Sequence, residues 1–255
     1  MSHDEDVYAQ RIQDKIQEPD VVVNYLSCVD STNTCLKKMA IDNAPDKTVL
    51  VAESQTNGRG RFERVFYSPA QSGIYMSILM RDVSLQQASR YTICAAVAVV
   101  RMLKQMAHVS AQIKWVNDIY LDGKKVCGIL TESLYGLTGG NATVVGIGVN
   151  LNVEEFPEEL RDKAATISID KDKKPACIAC LIDCFFQAVQ EDFMNVLEEY
   201  RSLSILMHRD IDFQYQGELL HGVVQDINES GNLVVSVQGK EMILTSGEVT
   251  MHDLW

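Results

Sequence analysis

"IKWVNDIYLDGKKVCGILTES" (113–133) is the stretch on which the fold turns. Asp122-Gly123 lies between two runs rich in β-branched and aromatic residues, and Asp-Gly in that setting signals a two-residue hairpin turn. The turn sets a register with Leu121 opposite Lys124 and Tyr120 opposite Lys125. Period-two alternation then puts Asp118, Tyr120, Lys125 and Cys127 on one face. Ile119 and Val126 share the other, apolar, face.

Outward from this hairpin the chain mixes strands and helices. "VVVNYLSC" (21–28) reads as a strand, and "DSTN" (30–33) caps a helix that runs to about Ile41. "TVLVAES" (48–54) and "GIYMSILM" (73–80) are further strands, and the apolar stripe from Leu85 to Met106 predicts a buried helix. "TVVGIGVNLN" (143–152) is a strand with Gly146 and Gly148 on one face, as expected where a ligand or backbone comes close. A helix is expected over 176–200. Strands, helices and hairpins in this mixture indicate an α+β fold. From about Met207 the pattern changes to short alternating strands between Gly, Asn and Asp turns, which predicts a small antiparallel barrel. The expected organisation is an N-terminal arm at 1–20 (a short helix or a partly ordered segment), a main domain at 21–206 and a C-terminal β-barrel at 207–255.

The 255 residues carry a formal net charge of -12, with 46% hydrophobic and 23% charged residues. That acidity argues against a general nucleic-acid binder, because phosphate neutralisation needs a basic surface. No apolar run approaches the roughly 20 residues that span a bilayer. The opening "MSHDEDVYAQ" has the wrong character for a secretory signal. Seven cysteines, an odd number scattered through apolar stretches, suit reduced thiols in a cytoplasmic protein. Cys177, Cys180 and Cys184 fall on one helical face. They have no neighbouring histidine or second cysteine pair, so they read as buried apolar residues rather than as a metal centre. The glycosylation-type matches at Asn141 and Asn228 lack the secreted context they require.

"VAESQTNGRGRFERVFYSP" (51–69) is the local exception, with Arg59, Arg61 and Arg64 beside Gly58 and Gly60. Glycine lets backbone approach a ligand closely, and arginine supplies a fixed fork for carboxylate or phosphate. In an acidic chain this points to a small anionic ligand. Each feature also has an ordinary explanation: Lys125 as a solvated strand lysine, Trp115 as core filler, Gly146 and Gly148 as packing concessions. Their co-occurrence suits a site that joins a carboxylate to a nucleotide phosphate, where positive charge screens two anions and stabilises the pentavalent transition state.

"ESQTNGRGR", "KWVNDIYLDGKKVCGILTE" and "GIGVNLN", in this order and spacing, closely resemble the biotin protein ligases over about residues 21–255. The resemblance implies an α+β catalytic domain related to lipoate ligases, followed by a small Src-homology-3-like barrel. It implies formation of biotinyl-5′-AMP from biotin, ATP and Mg2+ with release of pyrophosphate, then transfer of biotin to one lysine of a biotin carboxyl carrier protein or domain of a carboxylase. By position, Ser31, Thr32, Asn33 and Gln55 match the biotin contacts. The first three follow a strand and open a helix, where hydroxyls and helix N–H groups can reach a polar heterocycle. Gly58, Arg59, Gly60 and Arg61 match the loop over the biotin carboxylate and adenylate phosphate. Lys125 matches the lysine that bridges these groups, so Lys125, Arg59 and Arg61 are the implied catalytic residues. Gly128, Gly146 and Gly148 match the closely approaching wall of the biotin pocket. Arg61, Arg64, Phe66, Asn117, Lys125 and Asn150 match the ATP side, with magnesium expected near Asn117 or Asp118.

Two positions depart from the family pattern: Glu63 stands where a glycine is usual, and Val116 where a proline follows the Lys-Trp pair. Only about 20 residues precede the first strand, too few for the repressor winged helix of some relatives. The resemblance therefore implies a single-function, cytoplasmic enzyme with no nucleic-acid or membrane partner, and leaves room for a homodimer. Lipoate or octanoate transferases share the architecture but carry an "RR…GGG" type of loop, which is absent here. A nucleic-acid or protein-binding module built on the barrel and arginine loop is disfavoured by the acidic charge.

Overall fold

The computed structural model describes residues 2–81 and 84–251. Met1 of the expected arm and residues 252–255 of the expected C-terminal unit lie outside the described residues. The first elements are α1 (His3–Gln13), β1 (Val22–Leu26), α2 (Thr32–Ile41), β2 (Thr48–Ala52), β3 (Gly73–Arg81) and α3 (Leu85–Ala107). β4 (Gln112–Lys114), β5 (Asp118–Leu121), β6 (Lys124–Leu134) and β7 (Ala142–Asn150) follow, then α4 (Lys174–Gln190) and α5 (Phe193–Ser202). The last strands are β8 (Asp210–Tyr215), β9 (Glu218–Ile227), β10 (Leu233–Val237), β11 (Lys240–Leu244) and β12 (Val249–Met251).

β1–β7 form one mixed sheet in the order β1-β2-β3-β7-β6-β5-β4, parallel only between β1 and β2. Alternation along its central strands assigns the two faces. Met76 and Ile78 of β3 with Val145, Ile147 and Val149 of β7 join the core that contains α3 and α4. Leu50, Leu79 and Val144 point the other way and pack under Leu36 and Ala40 of α2. α2 is too short to cover that second face. The uncovered part carries Gly146, Gly148 and Gly128, and there the functional groups collect.

The hairpin forms with Leu121 opposite Lys124 and Tyr120 opposite Lys125, as the Asp-Gly turn requires. Between Ile119 and Tyr120 the register then shifts. Cys127 consequently sits opposite Ile119, fully buried in the α3/α4 core, and does not share the face of Asp118 and Lys125. A bulge inserts one residue and flips every side chain beyond it. Its effect is to bring Gly128 opposite Asp118, on the functional face.

Other expectations are corrected in detail. The helix expected at 176–200 is two helices, broken at extended Glu191, with the Asp192 side chain capping Met194 N of α5. Arg101 of α3 ties the break by pairing with both Glu191 and Glu199. The arm is a helix whose Ser2 and Glu5 form a capping box. Its Glu5 and Gln13 side chains accept the outward N–H groups of Ser27 and Val23, shielding the edge strand β1.

The C-terminal strands form an antiparallel sheet ordered β11-β10-β9-β8-β12, and among the described residues no pairing joins β11 to β12. This sheet is held near the large one by its incoming linker, which bonds β4 from Ile113 N to Leu203 O and from Ile205 N to Ile113 O, at 2.8 and 2.9 Å. Trp115 fastens it further by donating Nε1 to Gly231 O at 2.9 Å. Trp115→Phe deletes that donor and leaves a buried carbonyl unpaired, so a loss of about 1–3 kcal/mol is expected in urea denaturation. An unchanged midpoint would show that the bond adds nothing to the attachment.

Candidate functional site

One transverse row of the large sheet frames the site. Tyr75 of β3 pairs with Gly148 of β7, Gly148 with Gly128 of β6, Gly128 with Asp118 of β5, and Asp118 with Lys114 of β4. A second row sets Ser77, Gly146 and Leu130 side by side. Above these rows lies a cleft of about 590 Å³, walled by the start of α2, the 59–67 loop and residues 247–250 of the C-terminal sheet. A smaller hollow of about 270 Å³ beside Gln112, Ser204 and Arg209 gathers none of the expected groups.

At one end, Ser31 ends the turn before α2 and caps it, its Oγ accepting from Thr34 N. Thr32 N and Oγ1 both donate to Gln55 Oε1, at 2.8 and 3.2 Å, and Gln55 Nε2 donates to Ser68 Oγ at 2.9 Å. Buried Ser77 Oγ bonds Asn33 Oδ1 at 2.6 Å, while Asn33 Nδ2 donates to Leu130 O and Glu132 Oε2 at 3.0 and 2.9 Å. With every polar atom of Asn33 engaged, its amide orientation is fixed. The glycines make this possible. A Cβ on Gly146 would stand 2.1 Å from Asn33 Oδ1, and one on Gly148 would stand 2.6 Å from the Phe66 ring. The bare faces of β7 thus receive Asn33 and Phe66. Phe66 also lies across Gly128 and meets Tyr75 edge-on with ring centres 6.4 Å apart.

The glycine–arginine loop is folded on itself. Phe66 N bonds Gly58 O and Gly60 N bonds Arg64 O, at 2.8 and 2.7 Å. At its tip Phe62 and Glu63 have φ of 54° and 59°. Glu63 therefore occupies the left-handed region that favours glycine, which is the physical meaning of the departure noted at that position. Arg61 Nη1 donates to Asn117 Oδ1 at 3.0 Å and to Gly247 O at 3.4 Å, joining loop, hairpin and C-terminal sheet. Burial pushes the Arg61 guanidinium down from its usual pKa, against the pull of Asp118 and Glu248. Arg59 pairs with Glu132 at 3.4 Å, and Arg64 with Glu248 at 2.6 Å. Gly58 does not line the cleft. It is packed against Phe66 O and Ser68 Oγ, where a Cβ would lie at 2.4 and 2.6 Å, and so fixes the root of the loop.

Lys125 Nζ stands 2.6 Å from Asp118 Oδ1. The contact is an ion pair without hydrogen-bond alignment, since Asp118 Oδ1 is buried and has no aligned donor. Asn150 closes the β7 end and donates to Ala165 O at 3.1 Å. All the expected site residues except Gly58 therefore border one cleft, brought from α2, the loop, the hairpin and β7.

Several lining residues were not assigned to the site from the sequence: Lys114, Tyr120 (placed only on the hairpin face of Lys125), Phe156, Leu160, Lys163 and Ala164, and Gly247 to Thr250. Lys114 carried a usable signal, standing in the same motif as Asp118. The 156–164 and 247–250 segments carried none, because only folding brings them alongside Lys125 and Arg61. The Trp115–Val116 peptide, at the second atypical motif position, is cis.

A profile described as the Biotin/lipoate A/B protein ligase family matches residues 25–152. The chain is 42% identical over 147 residues to the Bacillus spizizenii bifunctional ligase/repressor BirA, covering 56% of this chain and 45% of that protein. It is 30% identical over 233 residues to the Mycobacterium tuberculosis biotin--[acetyl-CoA-carboxylase] ligase, covering 86% and 85% of the two chains. Among solved structures it resembles the Aquifex aeolicus biotin protein ligase in complex with biotin and ATP. The TM-score is 0.74 at 26% identity, over 90% of this chain and 98% of that one. The matched region thus spans under half the length of the Bacillus relative and most of the other two.

Proposed function

The chain belongs to the biotin/lipoate A/B protein ligase family, and from that premise we propose that it is an ATP-dependent biotin–protein ligase. The observation that carries this reading is one cleft in which a neutral hydrogen-bonding end runs into a strongly cationic middle. Ser31, Thr32, Asn33 and Gln55 form the first part, and Arg59, Arg61 and Lys125 the second. A biotin molecule has that same division, with a polar, uncharged ureido ring at one end and a carboxylate at the other. Lipoate has no ureido group to answer the polar end of the cleft, which disfavours the transferase alternative.

In the first step a biotin carboxylate oxygen attacks the α-phosphorus of ATP. The bond to the β-phosphate oxygen breaks, and pyrophosphate leaves with the electron pair. Lys125 and Arg61 screen the two anions during approach and hold the charge that builds on the phosphoryl oxygens. In the second step the amine of an acceptor lysine attacks the carbonyl carbon of the mixed anhydride, and AMP departs. The acceptor we assign is a biotin carboxyl carrier domain, and the setting the cytoplasm. Among the described residues no helix is long and apolar enough to cross a membrane. Within this reading residues 21–206 carry the chemistry, and the unit from 207 onward closes the cleft through its 247–250 segment.

Magnesium fits as a companion of the nucleotide. Asp118, with its unaligned buried oxygen, and Asn117 supply oxygen donors that suit an ion sharing its coordination with phosphates. When bound, the ion would neutralise phosphate charge.

The direct test is incubation with biotin, MgATP and a carrier domain, reading the acceptor mass. Gain of one biotinyl group that depends on ATP is expected, and labelling by octanoate in place of biotin would overturn the assignment. A further expected result concerns Arg61→Gly, which removes the contacts to Asn117 and Gly247 and adds backbone freedom to the loop. Biotin binding should weaken, and the adenylate should escape and acylate lysines of bystander proteins. Labelling confined to the carrier domain would show that the loop is not the lid.

A further inference from the structure

Lys114 has no part in the mechanism above, yet its environment is unusual for a lysine. It occupies the β4 end of the transverse row that holds Gly148, Gly128 and Asp118, so its side chain rises from the functional face and lines the cleft. Among the described residues it makes no ion pair and donates no hydrogen bond. Its Nζ stands 5.7 Å from the centre of the Tyr120 ring. Of the other cations of the cleft, Arg59 is paired with Glu132, Arg64 with Glu248 and Lys125 with Asp118, while Lys163, from the segment after β7, like Lys114 makes no ion pair among the described residues. Arg61 is held by Asn117 and Gly247 O.

Burial pushes the Lys114 ammonium down from its ordinary pKa. Lys125 and Arg64 add to that shift, while Asp118 and Glu248 oppose it. A cation so placed gains most from an anion that arrives from outside. Desolvation strengthens the attraction, and no existing partner has to be displaced.

The row gives the direction. Neighbouring strands lie about 4.8 Å apart, so the Lys114 backbone is roughly 10 Å from Gly128, on the side of Lys125 and Asp118 away from β7. Asn33, which lies over Gly146, marks the opposite side. In an in-line displacement the leaving group departs opposite the attacking oxygen. A carboxylate that enters from the Asn33 side therefore expels its leaving group toward β4.

On the strength of the ligase reading, on which this inference rests, we propose that Lys114 receives the β- and γ-phosphates of the nucleoside triphosphate and holds the departing pyrophosphate. It contributes to the first half-reaction and not to acylation of the acceptor lysine. The ligand class is a polyphosphate, and the contact is a charge-assisted one between an ammonium and phosphate oxygens.

The test compares wild type with Lys114→Gln and Lys114→Arg, using melting temperature to confirm folding. In Lys114→Gln, kcat/KM for ATP in pyrophosphate release should fall about 10- to 100-fold, the scale of one lost hydrogen bond to a charged group. Binding of inorganic pyrophosphate, measured by titration calorimetry, should weaken similarly, while biotin affinity without ATP stays within about twofold. Single-turnover transfer from supplied biotinyl-adenylate to the carrier domain should be unchanged. Lys114→Arg, which keeps the charge, should recover most of the loss.

Unchanged ATP kinetics and pyrophosphate binding in a folded Lys114→Gln variant would overturn the proposal. So would transfer slowed as much as adenylation with its pH dependence lost, which would make Lys114 a proton acceptor. If wild type itself releases no pyrophosphate from biotin and ATP, the ligase reading fails, and this inference with it. An active wild type with an indifferent Lys114→Gln variant removes Lys114 alone.

Discussion

Lys125→Ala is expected to slow biotin-dependent pyrophosphate release about 10²- to 10³-fold, the range for loss of one preorganised group at developing charge. Two effects combine in that number. The ammonium is lost from the place where carboxylate and α-phosphate meet, and Asp118 is left with a buried oxygen and no counter-charge. An uncompensated carboxylate there repels both substrates. The double variant Lys125→Ala/Asp118→Asn separates the two. If repulsion dominates, the double variant recovers activity, and if transition-state charge dominates it stays as slow as the single one. Lys125→Arg should restore little, because a planar fork cannot take the place of a compact point charge beside Asp118. Pyrophosphate release from Lys125→Ala at near wild-type rate would take Lys125 out of the mechanism.

Gly146→Ala should cost about 100-fold in biotin affinity, or about 2.7 kcal/mol. The added methyl would lie 2.1 Å from Asn33 Oδ1 and 2.8 Å from its Cγ, so Asn33 must leave. Asn33 is locked by Ser77, Leu130 O and Glu132, and its displacement breaks that network and tilts the first turn of α2. Overpacking of this kind costs about 1–3 kcal/mol in stability alone, so binding is to be measured by calorimetry on protein shown to be folded. Asn33→Ala supplies the control. If the methyl acts through Asn33, then Gly146→Ala/Asn33→Ala binds biotin no worse than Asn33→Ala. Additive losses would mean that the glycine serves the ligand directly and not the Asn33 side chain.

Much of this site was legible before folding. The Asp122-Gly123 turn set the pairing of Tyr120 with Lys125, and the Ser31 cap and the spacing of Gly146 and Gly148 placed three further groups on correct elements. These are local signals: turn chemistry, capping and strand alternation act within a few residues, so they survive without tertiary context. The bulge opposite Ile119 did not show. Nothing in "KKVCGIL" marks which residue is extra, and the choice is made by the core, which takes both Val126 and Cys127. The break at Glu191 was hidden for a related reason. Residues 176–200 contain no glycine or proline to mark an end, and Arg101 from a distant helix braces the interruption that Asp192 caps.

By itself, then, the chain determined its element types, its α+β class and the local chemistry of the loop and hairpin, because each depends on neighbours in sequence. The tertiary structure decided which of those groups share a cleft. It filled the bare glycine faces with Asn33 and Phe66, latched Arg61 and Arg64 to the 247–248 segment, and, among the described residues, left Lys114 without an ion pair. Such contacts join residues far apart in the chain. Their energies come from desolvation and close packing, which exist only once the two sheets and α2 enclose the same space.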